Sequence, residues 1–148
     1  MYLSDKDSEL LAQVSKNGKA SQRELANETG MALGTVNSHV KQLEKNKIIK
    51  GYLAEIDPEK VGFNLTAIIN LRIKKGTLMD VQASIANHSR VFGVYDVTGE
   101  WDSLILARFK DRVEMDKFIK STLSQEYIER TSTSLVLNTV KEEPRIIL

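Results

Sequence analysis

Along residues 1–50 the apolar positions recur at helical spacing, in short blocks separated by turn residues. Leu10, Leu11 and Val14 form the first stripe. Ser4 caps that block, Asp5 and Asp7 suit the positive end of a helix dipole, and Asn17-Gly18 closes it. Ser21-Gln22-Arg23-Glu24 has the form of a capping box, in which Ser21 and Glu24 satisfy each other's free amides. Leu25 and Ala26 face inward from this second helix, and Gly30 ends it. After a short turn a third helix is expected from about Gly34 to Asn46, with Val36, Val40 and Leu43 on its inner stripe.

Beyond residue 50 the pattern changes to strands alternating with helices. Ile49 to Ile56 alternates weakly and reads as a short connector strand, ended by Asp57-Pro58. Leu65–Ile73 is rich in β-branched residues and strand-like, and Thr77–Ala86 has helical spacing. Val91–Thr98 and Asp102–Phe109 read as strands around a turn at Gly99-Glu100-Trp101. Arg112–Leu123 reads as a helix and Arg130–Val140 as a last strand. The order βαββαβ is that of a ferredoxin-like antiparallel sheet with two helices on one face. The fold class is therefore α+β: a helix-turn-helix domain (1–50), a connector (51–63) and a ferredoxin-like domain (64–148) with one bare sheet face.

The third helix carries candidate chemistry on its outer side. Opposite Val36, Val40 and Leu43 lie Ser38, Lys41 and Lys45, flanked by Thr35, Asn37 and Gln42. No carboxylate sits at the centre of that face. Small polar, amide and ammonium groups are the types that meet base edges and phosphates in a major groove. Charge adds to this picture. The chain of 148 residues carries a net charge of only +1, yet Lys41 to Lys50 holds four lysines against one acid, Glu44. A local basic segment on a neutral chain suits a polyanion. A plain three-helix bundle with a solvated basic face has the same composition. His39, at the border of the inner stripe, reads as a packed, hydrogen-bonded side chain and not as a ligand or base.

Composition excludes several classes. The longest apolar run is four residues, Leu104–Ala107, far below the ~20 that span a bilayer. The N-terminus is polar and acidic, unlike a secretory signal, so a cytoplasmic protein without membrane contact is expected. Cysteine is absent, which excludes disulfides, thiolate metal sites and a cysteine nucleophile. His39 and His88 are the only histidines and fall in different domains, and no phosphate-loop or dinucleotide glycine pattern occurs. No enzyme, cofactor or metal site is expected.

The strings in this chain appear in a family's order. They include Ser21-x-x-Glu24-Leu25-Ala26, Gly30-x-x-Leu33-x-x-x-Val36, Val40-x-x-Leu43-Glu44 and Ile48-Ile49. Gly51-Tyr52-x-Ala54-x-Ile56-Asp57-Pro58-x-x-x-Gly62, Val97-Thr98-Gly99-x-x-Asp102 and Thr131-x-Thr133-x-x-Val136-Leu137 follow. Together they resemble the Lrp/AsnC family of feast/famine transcription regulators. The chain departs from the family at Gly34, where a serine is usual, at His39, where an arginine is common, and at Lys47, where a glycine precedes the Ile-Ile pair. Gly34 is expected to cap the third helix, and Asn46 to take the left-handed turn in place of the missing glycine.

The resemblance implies a sequence-specific DNA-binding regulator whose C-terminal domain forms a homodimer, with dimers assembling into rings such as octamers. It implies double-stranded DNA as a partner, with Lys41, Lys45 and Lys47 on phosphates and Thr35, Asn37, Ser38 and Gln42 on base edges. It also implies an effector, an amino acid or related metabolite, near the Gly-x-x-Asp hairpin. Gly99 would present backbone amides to a carboxylate, Asp102 would pair an α-ammonium, and Glu100 and Trp101 would complete the wall. Thr131, Ser132, Thr133 and Ser134 would line up hydroxyls on the last strand. A hairpin aromatic beside a turn-capping aspartate, and an ordinary edge strand, have the same residues. The alternative function is an oligomeric scaffold or protein-binding module without effector response.

Overall fold

The computed structural model describes residues 3–123, 126–143 and 146. The outermost ends of the two expected domains thus lie outside the described residues. The chain divides into two compact units. One holds the residues up to Glu55 together with the described residues from Lys141 on; the other is Ile56–Val140. The expected connector 51–63 is therefore divided between the two units.

The first unit contains α1 (Asp5–Lys16), α2 (Gln22–Thr29) and α3 (Leu33–Lys45). Both capping boxes form. The Ser4 hydroxyl accepts from the Asp7 amide and the Ser21 hydroxyl from the Glu24 amide, and each acid reaches back to its cap's N–H. Gly30 ends α2 at φ 67°, a left-handed conformation that costs glycine little. Leu10, Leu11, Leu25, Val36, Val40 and Leu43 make the buried core, with Ile49 packed at its edge.

Local geometry corrects three sequence expectations in this unit. Gly34 does not cap α3. The extended residue is Ala32, whose carbonyl accepts from the Thr35 and Val36 amides, so Gly34 lies inside the first turn. Asn46 does not take the left-handed position either: its φ is −80°, and Lys47 takes it at φ 56°. The amides of Lys47 and Ile48 then reach the Glu44 and Leu43 carbonyls, both at 2.9 Å. This is the Schellman arrangement, and it turns Ile49 back onto the core. Finally, Ile49–Ile56 forms no strand. A strand needs a partner ladder, and the described elements of this unit are all helices.

The second unit is a four-stranded antiparallel sheet with two helices. Its elements are β1 (Leu65–Ile73), α4 (Leu78–Ala86), β2 (Val91–Asp96), β3 (Ser103–Phe109), α5 (Arg112–Thr122) and β4 (Ile128–Leu135). The strand order is β2-β3-β1-β4, the ferredoxin-like arrangement expected from βαββαβ. Alternate residues of the central strands build the core: Ala67, Ile69, Leu71 and Ile73 from β1, then Ile105, Ala107 and Phe109 from β3. Val81 and Ile85 of α4 and Phe118 of α5 cover them. Phe109 and Phe118 meet with ring centroids 5.3 Å apart. The last strand begins and ends earlier than its sequence suggests. Its pairing runs to Ala67↔Leu135, and beyond it the Val136 amide still bonds Thr66, one residue from the start of β1 at Leu65.

Candidate functional site

Two regions hold the candidate residues, one in each unit. On α3 the helical period separates inside from outside. Val36, Val40 and Leu43 are buried, Thr35 and Asn37 are half-buried, and Ser38, Lys41, Gln42 and Lys45 are exposed. Lys47 is exposed on the turn that follows. Three ammonium groups, two amides and two hydroxyls thus lie on or beside the uncovered side of one helix. A side chain at Gly34 would meet open space, so packing does not demand glycine there. His39 does not face outward with them. Its Nδ1 lies 2.7 Å from Asp7 Oδ1 on α1, which explains its half-buried place at the edge of the stripe.

Glu44 is the acid of this segment, and its partner lies outside the helix, where periodicity does not reveal it. It accepts a hydrogen bond from the Tyr52 hydroxyl at 3.0 Å. Desolvation, and then this bond to a carboxylate, raise the Tyr52 pKa above its ordinary value, so the phenol stays a donor near neutral pH.

In the second unit the β2–β3 hairpin turns at Gly99, with φ 114°. Asp102 anchors the hairpin to β1. Its amide donates to the Leu71 carbonyl at 2.9 Å, and its Oδ2 accepts from the Ile73 amide at 2.8 Å. Its Oδ1 accepts from Arg72 Nη1 at 3.1 Å, and the same nitrogen donates to the Glu100 carbonyl at 2.8 Å. Arg130 of β4 bonds the Glu100 carboxylate at 2.9 Å, and its guanidinium lies 4.8 Å from the centre of the Trp101 ring. Arg72 and Arg130 sit directly opposite each other in the β1/β4 register. Sequence reasoning missed both arginines, because only the strand pairing brings them together.

The four hydroxyl residues of β4 do not form one row. Thr131 and Thr133 pair with Leu71 and Ile69, whose side chains face the helices. Ser132 and Ser134 pair with Asn70 and Ile68 on the other face. Opposed residues share a face, so the row splits in two.

Residues 3–50 match the model of winged helix-turn-helix DNA-binding domains. Residues 66–146 match that of the Lrp/AsnC ligand binding domain, more than half of the chain. This chain belongs to the Lrp/AsnC family of transcription regulators. An HTH-type transcriptional regulator of Pyrococcus abyssi is 36% identical over 97% of this chain and 98% of its own length. FL11, an HTH-type transcriptional regulator of Pyrococcus furiosus, is 31% identical over 95% and 93%. Among solved structures, a Neisseria meningitidis regulator in complex with L-Met superimposes with a TM-score of 0.91, at 28% identity over 98% and 96% of the two chains. As an Lrp/AsnC protein the chain is a helix-turn-helix transcription regulator and not an enzyme. Its partner is DNA, and its C-terminal unit is a ligand-binding domain. Among the described residues, no helix is long and apolar enough to cross a membrane.

Proposed function

We propose that this regulator reads double-stranded DNA with the outer face of α3, and that an amino acid bound near the Gly99–Asp102 hairpin modulates its DNA affinity or assembly. One observation carries the first half: Ser38, Lys41, Gln42 and Lys45 are exposed while Val36, Val40 and Leu43 of the same helix are buried. Lys41, Lys45 and Lys47 meet phosphates and supply affinity by counterion release. Thr35, Asn37, Ser38 and Gln42 read base edges.

The effector half is supported by the ligand-binding family match and by the methionine complex of the Neisseria regulator. Gly99, Glu100, Trp101 and Asp102 form the hairpin side of this site; on the edge strand β4, Ser132 and Ser134 offer hydroxyls on one sheet face and Thr131 and Thr133 on the other. An α-ammonium adds to Arg72 at Asp102 and does not replace it, because each carboxylate oxygen has two lone pairs. The sheet face away from the helices carries Ile68, Leu104 and Leu106, with Phe92 42% and Tyr95 51% exposed. A second copy closing on that face gives a homodimer, and dimers assemble into rings such as octamers. Paired α3 helices then meet half-sites about 34 Å apart on one side of the duplex.

Fluorescence anisotropy with a promoter fragment tests the DNA half. Binding weakens steeply with salt and is lost in the Lys41→Glu, Lys45→Glu double variant; binding that ignores both changes overturns it. Isothermal titration against the twenty amino acids tests the effector half. At least one produces a saturating heat, and a flat panel at millimolar ligand overturns an amino-acid effector while leaving DNA binding intact. An oligomeric scaffold whose helical head binds protein would leave the duplex unbound even at low salt.

A further inference from the structure

Tyr52 follows the helical core directly, in a segment without regular structure. Its ring is nevertheless placed. It stands against Gly18, where an added Cβ would come 3.5 Å from the ring's Cδ1. It walls a cleft of about 220 Å³ together with Val14, Leu25, Val40 and Lys41. Its hydroxyl reaches Glu44 at 3.0 Å. The aromatic body packs and the polar tip binds a single carboxylate on α3.

That carboxylate is the acid among the lysines of Lys41–Lys50. Glu44 stands three residues after Lys41 and three before Lys47. Side chains at i and i+3 on a helix are neighbours, and opposite charges there attract. An untethered Glu44 would pair with Lys41 and compete with a phosphate for its ammonium group. The bond to Tyr52 gives the carboxylate another partner.

We propose that Tyr52 is a positioning residue for DNA binding, giving the Glu44 carboxylate a hydrogen-bond partner other than Lys41 so that Lys41 stays open to phosphate. The inference rests on α3 facing the duplex and names what keeps that face basic. Tyr52 contacts no DNA in this arrangement; it acts through Glu44.

The test uses the full chain and a fluorescein-labelled duplex selected from a random pool, titrated from about 0.05 to 0.3 M KCl. Tyr52→Phe keeps the ring in the cleft and removes only the hydroxyl. It weakens binding roughly 3- to 10-fold at about 0.1 M salt and lowers the slope of log affinity against log salt by about one, the signature of one lost phosphate contact. Adding Glu44→Gln to Tyr52→Phe restores both affinity and slope. Glu44→Gln in the parent chain changes affinity less than about twofold, because the carboxylate is already engaged by the Tyr52 hydroxyl. A Tyr52→Phe variant equal to the parent overturns the proposal. So does a double variant as weak as the single one, which would make the hydroxyl's role purely structural. So does a gain of about tenfold from Glu44→Gln alone, which would mean that the acid competes even when tethered. Lys41→Glu and Lys45→Glu run in parallel: if neither weakens binding, the assignment of α3 to DNA fails, a result separate from the Tyr52 outcomes.

Discussion

His39 Nδ1 on α3 lies 2.7 Å from Asp7 Oδ1 on α1, and the other oxygen of the same carboxylate accepts from the Ser4 hydroxyl at 2.6 Å. One aspartate thus closes the N-terminal cap of the first helix and ties that helix to the third. This tie keeps His39 half-buried at the edge of the helical core.

The Ser4 hydroxyl, and then the His39 imidazole, hold the Asp7 carboxyl below the usual carboxylate range. A carboxyl lowered on folding contributes stability above its unfolded value of about 3.9, and loses it as pH falls through the folded value. Asp7→Asn should therefore cost roughly 1 kcal/mol at neutral pH, from the weakened cap and the lost half-exposed pair. The deficit should shrink below about pH 4. Urea unfolding of both proteins at neutral and acid pH measures this; a constant deficit would show that ionisation of Asp7 contributes nothing.

Lys47 stands in a left-handed conformation at φ 56°, which costs a residue with a Cβ about 1–2 kcal/mol. Lys47→Gly should stabilise the helical unit by roughly 1 kcal/mol. The same change should lower the salt slope of DNA binding by about one, since a phosphate contact goes with the side chain. Thermal melts and salt titrations together test this opposition. A variant that gains stability and keeps its full slope would remove Lys47 from the DNA contacts.

Asp102 fixes the start of β3 to the end of β1 through Ile73 and Arg72. Asp102→Ala leaves the half-buried Ile73 amide without its acceptor, at a cost of about 1–3 kcal/mol. Asp102→Asn keeps an acceptor oxygen and should cost less. Hydrogen exchange at the Ile73 amide is the local readout, and it should quicken in the alanine variant before the rest of the sheet does.

Ser103 is fully buried, and its hydroxyl joins three elements. It accepts from the Gln82 side chain of α4 at 3.1 Å and donates to the Tyr95 carbonyl of β2 at 3.1 Å. Ser103→Ala should cost about 1–2 kcal/mol, because both partners lose their bond. Ser103→Ala with Gln82→Leu should recover part of that loss in chemical denaturation, since no amide is then left unpaired. No recovery would mean that the hydroxyl's packing, and not its bonding, matters.

Features fixed by neighbours in sequence could be read without coordinates. The caps at Ser4 and Ser21 lie three residues from their acids, and the βαββαβ order follows from runs such as Leu65–Ile73. What pairing decides was hidden. Arg72 and Arg130 oppose each other only because β1 and β4 are adjacent. The hydroxyl row at 131–134 splits because a strand alternates faces. The weak alternation of Ile49–Ile56 resembled a strand, but among the described residues no strand pairs with it, and Leu53 remains 99% exposed. On α3 the outer face was legible from helical period alone. The tether of Glu44 was not, because Tyr52 lies beyond the helix and reaches back to it.

Trp101 is the only tryptophan in the chain, and a guanidinium from β4 rests against its indole. Ultraviolet emission excited at the red edge therefore comes from a single loop of this regulator. A titrant that displaces Arg130 from the ring alters that emission with no dye attached, which makes the hairpin its own optical gauge of whatever settles beside it.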